Sequence, residues 1–182
     1  MTPRVLIIGD SISMGYTEPV TALLAGRAEV ERIPINGGPT IRAIAHLDEW
    51  LGDGGWDIIL FNFGLHDLKI METGIHQVPP EEYEANLREI TARLKATGAK
   101  LIWVTTTPVV EGTEPPRNPE DARRYNEIAQ KIMDENSVAT LDLYALCLPR
   151  LAEVQIPVNV HFTESGYDVL AEWVAEAIAA QL

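Results

Sequence analysis

The chain has 182 residues, with 27 Asp plus Glu against 14 Lys plus Arg and a formal net charge of −13. That excess of acid argues against a nucleic-acid groove or an anionic membrane surface, both of which need clustered cations, and fits a solvated, self-repelling surface. The length suits a single domain over residues 1–182, which at this size buries roughly 70% of the surface its unfolded chain exposes.

In chain order, Met1-Thr2-Pro3-Arg4 runs directly into Val5-Leu6-Ile7-Ile8. No charged-then-apolar leader precedes this strand, and no apolar run approaches the roughly 20 residues of a membrane helix. A cytoplasmic protein is therefore expected, although a mature secreted one would read the same. Strands are predicted over Arg4–Gly9, Glu29–Pro34, Ile58–Phe63, Lys100–Thr105 and Ala139–Asp142. Three of them are continuous apolar runs, the pattern of strands covered on both faces. Trp50 and Trp56 flank the turn at Gly52–Gly55, where core or subunit packing is the expectation. Pro79-Pro80 opens a helix whose core face is Tyr83, Leu87, Ile90 and Leu94. Val110–Pro119, rich in Pro and Glu, reads as a surface loop long enough to overhang a site. The lone Cys147, between Leu146 and Leu148, excludes an internal disulfide and a multi-cysteine zinc site and reads as a small core residue. A last helix carries Leu170, Trp173, Val174, Ala177 and Ile178 inward, with Glu172 and Glu176 outward.

Strand–helix alternation implies a parallel α/β sheet with right-handed crossovers and helices on both faces. Ligands of such sheets bind outside the carboxyl ends of the strands. The first four predicted strands lead into Gly9-Asp10-Ser11-Ile12-Ser13, Asn36-Gly37-Gly38-Pro39-Thr40, Gly64-Leu65-His66-Asp67 and Thr105-Thr106-Thr107-Pro108. Beyond the fifth strand, past a helical excursion, comes Val158-Asn159-Val160-His161-Phe162-Thr163. Small, polar and nucleophilic residues thus gather at one edge. Ser11 is a candidate nucleophile and His161 the base its hydroxyl needs. Gly38, with Gly37 beside it, can expose backbone N–H groups to a reacting carbonyl.

The ordered set Gly9-Asp10-Ser11, Gly38, Gly64-x-His66-Asp67 and His161-Phe162-Thr163 resembles the SGNH (GDSL-like) hydrolases, and so do Tyr83-x-x-Asn86-Leu87 and Arg124-Tyr125-Asn126. The resemblance runs from Val5 to the final helix. It implies a flavodoxin-like, three-layer α/β/α fold with a five-stranded parallel sheet of order 2-1-3-4-5. It also implies ester hydrolysis, often of acetyl esters on sugars, with Ser11 as nucleophile and His161 as general base. The oxyanion hole would take the N–H groups of Ser11 and Gly38 and a side chain of the third block. Asp10 and Asp67 would support their loops.

Two positions depart from the family's pattern. Where the family has Gly-x-Asn-Asp, this chain has His66 in place of the Asn. Where the family has Asp-x-x-His, Val158 stands three residues before His161. An imidazole N–H can replace an amide N–H as oxyanion donor, so His66 is expected to donate to the oxyanion or substrate, or else to be a structural histidine bonded to a backbone carbonyl. For the missing acid three outcomes stay open. A backbone carbonyl of Val158 or Asn159 accepts from His161 and makes a Ser–His dyad. Alternatively, Asp142 or Glu164 supplies a displaced carboxylate. In the third outcome, the chain is a silent ester- or carbohydrate-binding relative.

No metal is expected, because His66, Asp67 and His161 show no His-x-x-x-His or His-Glu ligand spacing. No cofactor is expected either, because the first loop carries neither phosphate-binding glycine pattern. The expected partner is a small-molecule ester or acetylated sugar, with no nucleic acid and no membrane. Nothing in the pattern speaks to oligomeric state.

Overall fold

The structure is a computed structural model describing residues 1–182. Five strands, β1 (Arg4–Ile8), β2 (Glu29–Arg32), β3 (Ile58–Phe61), β4 (Lys100–Val104) and β5 (Ala139–Leu141), form one sheet of order β2-β1-β3-β4-β5. Every neighbouring pair is parallel; Val5 faces Val30 on one side and Ile58 on the other. The sheet therefore has the order that the resemblance implied. Each predicted strand overran its carboxyl end by one or two residues. The ladder there passes into loop bonds, such as Asn62 N–H to the Ile8 carbonyl at 3.0 Å and Thr105 N–H to that of Leu141 at 3.1 Å.

Helices α1 (Ser11–Leu23), α2 (Thr40–Leu51), α3 (Pro80–Ala96), α4 (Pro119–Asn136), α5 (Leu143–Cys147), α6 (Leu151–Val154) and α7 (Glu164–Ala179) complete the chain, with a 3₁₀ turn at Leu148–Arg150. Proline at the first position of α3 and α4 suits the fixed φ there, where its missing N–H has no helical partner to lose. Helices α1 and α7 lie together, and α2, α3 and α4 pack in series. The inward face of α3 is the expected one: Tyr83, Leu87, Ile90 and Leu94 are all buried.

The core is one connected cluster of 45 buried hydrophobic residues, centred on the continuous apolar runs of β1, β3 and β4. Cys147 belongs to it, and burial pushes its thiol up to about 12, so it packs as an inert apolar side chain. Trp50, in the last turn of α2, is buried, while Trp56 is covered by the Arg4 guanidinium 4.1 Å from its ring centre. No helix is long and apolar enough to cross a membrane.

Candidate active site

β1 ends at Ile8, and the chain turns through Gly9 and Asp10 into α1. Asp10 caps that helix, its Oδ1 accepting from the Ile12 N–H at 2.9 Å. The Ser11 N–H, another first-turn donor, has no acceptor within the protein. Arg32 at the end of β2 clamps the turn from below, donating to the Gly9 carbonyl at 2.9 Å and to Ser13 Oγ at 3.0 Å. Ser11 thus stands first in a helix at the carboxyl edge of the central strand.

His161 arrives on the loop between α6 and α7. Gln155 Nε2 ties that loop to the Pro108 carbonyl at 3.0 Å, and Thr163 caps α7 by accepting from the Gly166 N–H at 3.0 Å. Along the α1–α7 contact, a Cβ at Gly15 would run into the ring of Tyr167. Only glycine allows this approach, and the approach is what brings the two loops together.

Ser11 Oγ and His161 Nε2 are 2.9 Å apart. Across the ring, His161 Nδ1 lies 2.8 Å from Asn159 Oδ1, and the His161 backbone N–H reaches the same atom at 2.9 Å. Two donors converge on that atom, which makes it the amide oxygen rather than the NH₂. An amide oxygen only accepts. The proton therefore sits on Nδ1, and the lone pair on Nε2 faces the serine hydroxyl.

The two carboxylates considered as displaced acids lie elsewhere. Asp142 Oδ1 accepts from the Ala145 N–H at 3.0 Å and Thr105 Oγ1 at 3.1 Å, capping α5. Glu164 is exposed in the first turn of α7, beside a hollow shared with Gly15, Glu18 and Tyr167. Neither carboxylate contacts His161. Val158, at the family's acid position, is 60% exposed and sits at a φ of 54°. The group on Nδ1 is a side-chain amide, where sequence reasoning had looked for a backbone carbonyl.

Of the candidate oxyanion donors, Gly38 is occupied: its N–H donates to Asn36 Oδ1 at 2.9 Å. His66 is different. Its half-buried ring faces the cavity and makes no hydrogen bond within the protein. Burial holds it below the ordinary histidine range, with Arg117, Lys69 and Arg42 adding to that effect and Asp10 opposing it. The ring is therefore neutral and has one N–H to give. Asp67 lies buried under the same loop, its Oδ1 accepting from the Thr40 N–H at 2.8 Å and Oγ1 at 2.6 Å. Burial pushes its carboxyl up to about 7.

Other residues of the family pattern brace the blocks. Tyr83 Oη donates to the Phe63 carbonyl at 3.0 Å, and Asn86 Nδ2 to Thr40 Oγ1 at 3.2 Å. Asn126 grips Thr106 at both ends, accepting from its N–H and donating to its carbonyl, each at 2.8 Å. Thr105 and Thr107 lie beneath the site around a small void and do not line the cavity. That cavity, about 370 Å³, is bounded by Ser11, His66 and His161, and Glu114, Pro115 and Arg117 of the proline-rich loop form one wall.

Residues 7–169 match the model of the GDSL-like lipase/acylhydrolase family. The chain belongs to that family. As a GDSL-like acylhydrolase it is an ester hydrolase. It is 23% identical to an arylesterase of Vibrio mimicus over 98% of this chain and 90% of that protein. Its fold is that of a lipase/acylhydrolase from Enterococcus faecalis, with a TM-score of 0.87 at 19% identity over 100% of this chain and 97% of the other. An acetyl xylan esterase superposes with a TM-score of 0.82 at 17% identity, covering 96% and 99% of the two chains.

Sequence reasoning considered Asn159 only for its backbone carbonyl, not its side-chain amide, and it missed Arg32 and Arg117 altogether. Asn159 had left a signal, since Asn two residues before a backbone N–H is the spacing of an Asx turn. Arg32 and Arg117 had left none, because their positions depend on how distant segments pack.

Proposed function

We propose that the protein hydrolyses small acyl esters, acetyl esters of carbohydrates foremost, by a serine mechanism with Ser11 as nucleophile, His161 as general base and Asn159 as positioning residue. The observation that carries this reading is the 2.9 Å approach of Ser11 Oγ to an imidazole whose far nitrogen is held at 2.8 Å by an amide oxygen. As Ser11 Oγ adds to the ester carbonyl, its proton passes to His161 Nε2, and Asn159 Oδ1 stabilises the imidazolium as a hydrogen-bond acceptor. The oxyanion receives the free N–H of Ser11 and the N–H of neutral His66. Collapse of the tetrahedral adduct returns the proton from His161 to the departing alcohol. Water, deprotonated by the same imidazole, then releases the acid and restores Ser11. Asp10 and Asp67 hold their loops and take no part in proton transfer.

A cavity of about 370 Å³ suits a short acyl group, and the structural likeness to an acetyl xylan esterase favours acetyl esters of sugars. No step calls for a metal or cofactor. A second reading, a silent ester- or carbohydrate-binding relative, draws on Val158 at the acid position and on the Asn36 oxygen occupying the Gly38 N–H. A fluorophosphonate serine probe separates the two. Labelling of the folded wild type and none of Ser11→Ala is expected; absence of labelling in both refutes the hydrolytic mechanism. A series of acetyl to octanoyl aryl esters, followed by acetylated sugars, then reads acyl and alcohol preference, with acetyl fastest.

A further inference from the structure

Arg117 comes from the proline-rich loop and is only 8% exposed, yet no carboxylate lies within ion-pairing distance of it. Two of its donors are committed to backbone carbonyls, Nε to Leu65 at 2.7 Å and a terminal nitrogen to Pro115 at 3.0 Å. The other terminal nitrogen has no acceptor, and the side chain lines the Ser11–His161 cavity. Lys69 lines it as well, half-buried, its ammonium making no hydrogen bond or ion pair.

In a chain with 27 acids and 14 bases, a buried guanidinium left without a carboxylate needs a reason. Burying an unpaired charge is costly, and here the cost falls at the edge of the reacting centre. Two carboxylates also reach the cavity. Asp10 already accepts from the Ile12 N–H as the cap of α1, and Glu114 is exposed at the rim. Asp10 is the one acid whose field is felt at Arg117. Neither supplies the planar, two-oxygen partner that a guanidinium fork matches.

We propose that Arg117 and Lys69 form a subsite for an oxyanion substituent of the substrate, so that the preferred ester carries a negative charge within reach of its scissile carbonyl. A carboxylate on the alcohol part and one on the acyl part satisfy the same chemistry. For the proposed acetyl esters of sugars, the charge would lie on the alcohol part, as in an acetylated acidic sugar. This inference rests on the ester-hydrolase reading of Ser11 and His161.

The test compares kcat/KM for charged and neutral esters at low ionic strength, in wild type, Arg117→Gln and Lys69→Gln. In one arm the charge sits on the alcohol, 4-acetoxybenzoate against its methyl ester. In the other it sits on the acyl group, phenyl hemisuccinate against phenyl butyrate. The charged-to-neutral ratio is expected to fall at least tenfold in Arg117→Gln and severalfold in Lys69→Gln in one arm, and the affected arm says which part carries the charge. Added salt should erode the wild-type preference. If Arg117→Gln loses its fold together with its carbonyl bonds, Arg117→Lys and Lys69→Gln carry the comparison. A ratio unchanged in both arms for every folded variant overturns the subsite while leaving ester hydrolysis standing. If the wild type turns over none of these esters, the Ser11→Ala protein is titrated with 4-acetoxybenzoate by thermal shift. Stabilisation abolished by Arg117→Gln then supports the subsite with hydrolysis refuted; no stabilisation overturns both.

Discussion

Replacing Asn159 by Leu removes the only acceptor on His161 Nδ1 and frees the ring to exchange tautomers. The same oxygen also accepts from the His161 backbone N–H, so the substitution loosens both ring and loop. A hydrogen bond to a group that becomes charged is worth about 1.5–3 kcal/mol. At about 1.4 kcal/mol per decade, that is roughly a 10- to 150-fold fall in kcat/KM, carried by kcat. The cost is smaller than the factor of about 10⁴ seen when a serine protease's Asp becomes Asn, because that change installs the wrong tautomer. Here the native amide already presents its oxygen. Asn159→Asp is the informative opposite, because a carboxylate at 2.8 Å favours the imidazolium. The acid limb of the pH–kcat/KM profile therefore moves to higher pH, and the plateau stays level or rises. Aryl acetate hydrolysis from about pH 5 to about pH 9 reads both effects, with Asp142→Asn and Glu164→Gln as controls that leave the profile in place. Full activity in a folded Asn159→Leu protein, or an unmoved acid limb in Asn159→Asp, refutes the positioning role.

His66→Ala should lower kcat by about 10²-fold with little change in KM, as loss of an oxyanion donor does; an undiminished kcat removes His66 from that role. Gly15→Ala drives a methyl group into the Tyr167 ring and forces α7 off α1. Thermal unfolding should show a loss of about 1–3 kcal/mol, and kcat/KM should fall because Ser11 and His161 separate; trimming Tyr167 to Ala in the same protein should recover activity. An active, unperturbed Gly15→Ala protein would show that the helix contact does not set the site. Asp67 titrates at about 7 when folded, far above an unfolded carboxyl, so the folded state holds the extra proton between about pH 4 and pH 7. Its contribution is fully present at low pH and is lost as pH rises through the folded pKa. Asp67→Asn, which keeps an acceptor for Thr40, should flatten that part of the stability–pH curve in denaturant titrations; an unchanged slope would place the ionisation elsewhere.

The apolar runs of β1, β3 and β4 are local composition, and they suffice to announce buried parallel strands because period and length are properties of the segment alone. The order of the four motif-bearing loops likewise told which side chains would share one edge, since a parallel sheet sends every strand's carboxyl end the same way. Ser11 and His161 were legible on those terms. Their neighbours were not. Whether Val158, Asn159, Asp142 or Glu164 faces His161 depends on backbone angles, and a β-branched residue at φ 54° is a conformation that no propensity foresees. The Gly38 N–H was anticipated as a free donor, but the Asn36 side chain occupies it.

The excess of acid, read from composition alone, argues against a nucleic-acid groove. Only the folded chain revealed that a buried Arg117 without a carboxylate partner lines the cavity beside Ser11 and that the amide oxygen of Asn159 lies against His161 Nδ1. Composition sums charges without regard to place. Burial and direction, which decide what a charge or an amide can do, arise only when segments far apart in the chain are packed together.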